Sequence, residues 1–263
     1  MVGRKLSNAS PIVVRQMEDL PWKDAGKPGV HYQEMRYDTQ TGRYFGTARF
    51  AVGSRSGAHR HLGPGATYML AGRLTDHHCE AAAGDVLINL DGAVHDVVAY
   101  EHSLAVARID GPVLYPSEDG VLASLGEKAR KAGQQVDATL GQQPGIVLKL
   151  ADLAKRPTGI AGLSRRPIFD YAGQPHQARF VELTLAPGTR VPAHRVGSLT
   201  DWFVLSGEVA ADGQAAQSAG YVSLQAGAEL EIRSRYGCRL LCWADAPVVW
   251  ADKKARLPDL YGF

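Results

Sequence analysis

His59-Arg60-His61 places two imidazoles at positions i and i+2. On a β-strand those positions share one face, so both rings would enter the same interior while Arg60 points away. That spacing suits two neighbouring ligands of one metal ion. Alone it is a weak signal, because nine histidines in 263 residues would produce a His-X-His about 0.3 times by chance. His95 adds to it. It ends the run Gly84-Asp-Val-Leu-Ile-Asn-Leu-Asp-Gly-Ala-Val-His95. A strand over 85–90 meets Asp91-Gly92, a tight-turn signal that sends the chain back antiparallel. His95 then begins the returning strand, which in a small barrel can face the one carrying His59 and His61. Three imidazoles on one wall leave coordination positions open, the layout of a catalytic or ligand-binding centre rather than a closed structural one. Imidazole suits iron, zinc, nickel and copper alike, so these residues do not choose the metal.

The elements that must position the histidines are strands, and they occur twice. Gly53-Ser-Arg-Ser-Gly-Ala-His-Arg60 and Gly188-Thr-Arg-Val-Pro-Ala-His-Arg195 share five of eight residues at an offset of 135. The same offset pairs Tyr68-Met-Leu-Ala-Gly72 with Phe203-Val-Leu-Ser-Gly207, and Ala83-Gly-Asp-Val86 meets Ala219-Gly-Tyr-Val222 one residue out of step. Alternating runs are expected to form strands over 47–52, 67–74, 85–90, 94–100 and 103–109. A second set falls over 179–185, 201–210, 221–224, 229–234 and 239–244. Glycine-rich turns at short spacing separate them, which argues for an all-β sandwich or barrel. Between the halves, Val121, Leu122, Leu125 and Ala129 fall at helical spacing. The expected organisation is a first barrel over 1–116, a partly helical linker over 117–142, and a second barrel over 143–263.

Composition is that of a globular protein able to bury a core without staples: 45% hydrophobic residues, 21% charged, net charge +2. The balance provides no electrostatic reason to expect nucleic acid or a membrane surface as partner. Three cysteines are no disulfide framework. Cys238 and Cys242 read as one strand, with Cα atoms roughly 13 Å apart, too far for a bond. Without an apolar signal core or a membrane span, the reading is a reducing, cytoplasmic compartment.

Residues 53–95 resemble the cupin superfamily. Its first motif, Gly-x5-His-x-His-x3–4-Glu-x6-Gly, is matched by Gly53, His59, His61 and Gly72. Its second, Gly-x5-Pro-x-Gly-x2-His-x3-Asn, is matched by Gly84, Gly92 and His95. Three positions depart: the glutamate slot holds Gly65 or Ala66, Leu90 replaces the proline, and Ala99 replaces the asparagine. The first departure removes the usual fourth ligand. Within the superfamily, residues 19–110 are similar to the ChrR-like cupins, through Asp19-Leu-Pro-Trp22, Gly29-Val30, Tyr37-Asp38, Thr41-Gly42 and His59-Arg-His-Leu-Gly-Pro64. They are similar also to small oxygenases that cleave acetylacetone or 2,4'-dihydroxyacetophenone.

The resemblance implies two jelly-roll barrels in tandem, a bicupin, with one divalent metal per chain held by His59, His61 and His95. Iron(II) is the expected ion, with zinc, nickel or manganese as alternatives. In some such oxygenases a carboxylate from the next strand joins the histidines. Asp76 is nearest that position and Glu80 is second; both also read as solvated turn residues. Tyr68, two residues beyond Ala66, is expected to face the cavity as a substrate contact, or else to fill the core. The second half keeps His194, but Val196 stands where the second histidine belongs, and His194 with Asp201 in the glutamate slot is too few ligands. Its expected role is packing and dimerisation. A homodimer is expected, with Val13, Val14 and Tyr32 available to donate an edge strand. His31, His102 and His176 have no partner pattern.

Three neutral imidazoles leave the ion's full 2+ charge uncompensated, which favours an anionic, chelating small molecule. The expected activity is therefore an iron(II) dioxygenase breaking a C–C bond in a 1,3-dicarbonyl or hydroxyketone. Two other classes remain open: a ChrR-like regulatory module that binds a metal or metabolite, and a zinc, manganese or nickel isomerase or hydrolase. An anti-sigma role would call for a helical zinc domain ahead of the barrel, and cupin-like sequence already begins near Asp19.

Overall fold

The computed structural model describes residues 10–115, 145–171, 178–252, 254 and 256–263. Among them the helical turns are two short 3-10 segments, Met17–Asp19 and Leu150–Asp152, and no helix is long and apolar enough to cross a membrane. The expected linker helix and His176 lie outside the described residues. The chain divides into two compact units, Met17–Lys155 with Arg166–Ala178, and Met1–Gln16 with Arg156–Arg165 and Arg179–Phe263.

The unit that holds the three histidines is built on a seven-stranded antiparallel sheet. Its order is Ile146–Lys149, Asp85–Asn89, Gly65–Ala71, Ser103–Ile109, Tyr44–Phe50, Val30–Tyr37 and Lys23–Lys27. A three-stranded sheet orders Val94–His95, His59–His61 and Val113–Leu114. Period-2 alternation sorts the long strands by face. In Ser103–Ile109, Ala105, Ala107 and Ile109 line an internal cavity, while Val106 and Arg108 lie buried on the other face. Phe50, Met69, Leu74, Leu87, Val97 and Ala105 pack together as the apolar interior. Gly72 ends Gly65–Ala71 at φ 71°, and a Cβ there would strike the His102 carbonyl, so only glycine fits.

Asp91-Gly92 turns as expected, with Gly92 at φ 83°. The chain does not fold back on Asp85–Asn89, however. It crosses to the other sheet, where Val94–His95 pairs antiparallel with His59–His61.

The second unit is also antiparallel. Its sheet runs Arg179–Leu185, Cys238–Ala244, Thr200–Ala211, Glu229–Ser234, Thr189–Val196 and Val248–Trp250. The N-terminal strand Ile12–Gln16 belongs here, paired in register with Gly220–Leu224 from Ile12 opposite Leu224 to Gln16 opposite Gly220. Val13 and Val14 are thus paired within the chain. Tyr32 lies in Val30–Tyr37, which has a neighbour on both sides. The segment expected to donate a strand to a second copy is therefore already engaged. The edge strand Lys23–Lys27 reads Lys-Asp-Ala-Gly-Lys, short and charged, a composition that discourages edge pairing. Cys79, Cys238 and Cys242 are free thiols.

Candidate metal centre

Strand pairing assembles the site. His95 sits directly opposite His59 in the pairing of Val94–His95 with His59–His61, and His61 shares the face of His59 two residues on. The Asp91-Gly92 turn clasps this strand, since the Gly92 N–H donates to the His61 carbonyl at 2.9 Å and the His61 N–H donates to Ala93 at 2.9 Å. One nitrogen from each ring lies within 4.8 Å of the others. All three residues are buried.

The ring roles differ. The His59 Nδ1–H donates to the Gly57 carbonyl at 2.7 Å, which selects the tautomer and leaves the Nε2 lone pair free. His61 Nε2 stands 3.0 Å from His95 Nε2, while His61 Nδ1 is buried without a partner. Burial, followed by the charge of His95, pushes His59 down to about 4. Burial, then His95 and His59, hold His61 well below the usual histidine range. Both rings are therefore neutral at pH 7 and can donate lone pairs, and the donor set fits a divalent ion of borderline softness.

Asp76 does not join the donors as a fourth ligand. Its Oδ2 lies 3.4 Å from His95 Nδ1, behind the ring, and its Oδ1 accepts from the backbone N–H groups of His78 and Cys79 at 2.7 and 2.8 Å. Burial alone would raise this carboxyl, but the hydrogen bonds from His95, His78 and Cys79 outweigh it and hold Asp76 well below the usual carboxylate range. A carboxylate behind a ligating histidine orients the ring and raises its basicity. Asp76→Ala should therefore lower metal affinity about 10- to 100-fold without changing the stoichiometry, as measured by competition with a chromogenic chelator. Glu80 is exposed and pairs with Arg73 at 2.8 Å, away from the histidines.

The histidines open onto a cavity of about 500 Å³, lined largely by apolar and aromatic side chains including Tyr32, Tyr44, Phe50, Leu87 and Val97. That is room for on the order of fifteen water molecules at ~30 Å³ each. Thr67 and Asn89 are polar lining residues. Tyr115 lies 5.7 Å from His59 between ring centroids, and the Lys27 ammonium sits 4.2 Å from the Tyr115 centroid.

Tyr68 is placed differently from the expectation. Thr67, not Tyr68, lines the cavity; Tyr68 is buried on the opposite face of Gly65–Ala71, across from Val106 and Val86. The spacing of three or four residues before the glutamate slot decides this. Parity counted from Ala66 selects Tyr68, and parity counted from Gly65 selects Thr67. A Cβ on Gly65 would lie 3.3 Å from His61 Cε1, so Gly65 occupies the slot beside the histidines. Asn89 was missed, although its parity with Leu87 along Asp85–Asn89 was readable.

In the second unit the interior is filled by apolar side chains, among them Leu183, Trp202, Val204, Leu230 and Ile232. His194 is buried near Trp250 with its Nε2 unpartnered. Asp201 alternates with Trp202 and so faces the other side of its strand, where it accepts from the Ser223 hydroxyl at 2.6 Å. The two residues do not form a common site.

Comparison with known proteins agrees with this architecture. Residues 10–113 match the model of the ChrR Cupin-like domain. No curated protein matches the sequence. A deletion mutant of Bacillus subtilis oxalate decarboxylase superposes with a TM-score of 0.63 at 15% identity, covering 93% of this chain and 81% of that one. A second structure of that enzyme, described with Mn(II) centres, gives 0.63 at 14% identity over 93% and 81%. A candidate dioxygenase from Nostoc punctiforme gives 0.68 at 9% identity over 96% and 87%. With both units all-β and these likenesses spanning nearly the whole length, the chain has the fold of two cupin barrels in tandem, and its residues 10–113 match the ChrR Cupin-like domain.

Proposed function

We propose that the protein is a metal-dependent cupin enzyme, an iron(II) dioxygenase that cleaves a C–C bond beside a carbonyl in a 1,3-dicarbonyl or hydroxyketone. The observation that carries the reading is a donor set of three imidazoles, with no carboxylate among them, at the wall of a mainly apolar cavity. Bound iron(II) would supply Lewis acidity toward a carbonyl and the redox chemistry that O₂ requires.

His59, His61 and His95 would hold the ion, and Asp76 would keep His95 in its ligating orientation. With no carboxylate among the donors, the site favours an anionic oxygen ligand such as an enolate. Gly65 leaves space beside His61 that a glutamate would occupy. The apolar walls exclude water and suit the carbon skeleton of a ketone better than a small dianion.

The test is oxygen consumption. Iron(II)-loaded protein should take up O₂ on addition of a 1,3-diketone or hydroxyketone, and zinc-loaded protein should not. No uptake with any member of such a panel would turn the reading toward its alternative. The ChrR Cupin-like match favours that second reading, a regulatory module that binds a metal or metabolite without turnover.

A further inference from the structure

Asn89 presents a carboxamide that the protein itself does not use. The residue is 3% exposed, its Oδ1 is fully buried, and neither amide atom has a hydrogen-bond partner among the described residues. Oδ1 faces the backbone at Gly145, whose Cβ would lie 3.6 Å away. The Nδ2 edge is left for the cavity that Asn89 lines with the three histidines. The Nδ2–H, with no acceptor among the described residues, is available to a ligand that accepts a hydrogen bond.

Its position is specific. Asn89 is the direct cross-strand partner of Gly65, so Cβ positions at the two residues are about 5 Å apart. Gly65 is where a side chain would point at His61. Because Gly65 has none, no side chain stands directly across the strand pair from the Asn89 amide. The same missing side chain leaves an open volume beside the triad and an uncovered donor next to it.

We infer that Asn89 is a substrate-binding residue, donating its Nδ2–H to the anionic oxygen of a chelating enolate held in the space beside Gly65. This rests on the metal-centre reading and names the group that would recognise the ligand there. The donor is neutral and buried, so it strengthens with charge on the ligand oxygen. It would select an enolate over the neutral ketone and leave the metal ligands untouched.

The probe is acetylacetone, titrated into zinc-loaded protein and followed by the ultraviolet band of its enolate, with metal content measured on the same samples. Wild type should bind one metal and the diketone. Asn89→Leu, close in size, should keep the metal and the melting temperature but lose about 10-fold or more in acetylacetone affinity. Asn89→Asp keeps the shape, loses the donor and puts a like charge beside the enolate, so it should bind more weakly still. It carries the test if the leucine variant fails to fold. Metal in place with equal acetylacetone affinity in wild type and variants would overturn the Asn89 assignment alone; metal-loaded wild type that binds no diketone would overturn it together with the 1,3-dicarbonyl reading of the site. Wild type that takes up no metal would overturn the metal centre and this assignment with it.

Discussion

His61→Ala should leave the protein folded and abolish its metal uptake, taking elemental analysis from one ion per chain to none. The ring contributes one of three donor nitrogens, and two imidazoles do not make a tight site. The fold should tolerate the change because little is lost with the ring: Nδ1 has no partner, and Nε2 gives up a single 3.0 Å contact to His95. His95→Ala should also abolish uptake but cost more stability, since it strips Asp76 of its ring partner in a buried setting. His194→Ala is the control. Among the described residues His194 belongs to no cluster of three donors, so stoichiometry should stay at one. Two tightly bound ions per chain in wild type, or full occupancy in His61→Ala, would refute the assignment.

The second large effect concerns the cavity-bearing barrel's own stability. Arg108 is fully buried, and its Nε donates to Asp110 Oδ1 at 2.9 Å. Arg43 donates to the same oxygen through Nε at 2.9 Å and Nη2 at 2.7 Å. One carboxylate thus serves two guanidinium groups in a nearly dry setting. Asp110→Asn would remove the only charge in that trio that offsets them. Breaking a buried ion pair by deleting one partner costs about 3–5 kcal/mol, which at about 2–4 °C per kcal/mol lowers the melting temperature by roughly 10 °C. Burial alone would raise the Asp110 carboxyl, but Arg108 and Arg43 outweigh it and lower it below its ordinary value. A depressed carboxyl stabilises the fold above its unfolded pKa, near 3.9, and that contribution is lost as pH falls through the folded value. Wild type should therefore lose stability below pH 4 by a larger margin than Asp110→Asn. A melting temperature within 2 °C of wild type would show that the pair contributes little. Metal stoichiometry of the folded variant should stay at one, since Asp110 touches none of the histidines.

Much of this molecule was legible along the chain because β-structure writes itself in period 2. The runs over 85–90 and 103–109 became Asp85–Asn89 and Ser103–Ile109, and those over 179–185 and 229–234 became Arg179–Leu185 and Glu229–Ser234. Polar strands were harder to see. Lys23–Lys27 and Val30–Tyr37 lie at the edge of a sheet, where one side faces solvent and the apolar rhythm weakens. The pairing of Ile12–Gln16 with Gly220–Leu224 spans some two hundred positions, and no local pattern records such a partner.

The triad divides in the same way. Spacing alone put His59 and His61 on one face, because i and i+2 on a strand admit no other arrangement. That His95 stands opposite His59, in a different sheet from the strand preceding it, was decided by tertiary pairing. Which side of Gly65–Ala71 faces the cavity depended on a one-residue ambiguity, and a one-residue slip exchanges the two faces, so Thr67 stands where Tyr68 was expected. Asp76 lies behind His95 rather than among the donors because the turn at His77 and His78 bends its carboxylate toward the ring's far nitrogen. Residue types and short spacings therefore determined the ligand chemistry. The first neighbours of those ligands, Asp76 behind one ring and Asn89 across from Gly65, came from strand register, which is set by contacts far apart in the chain.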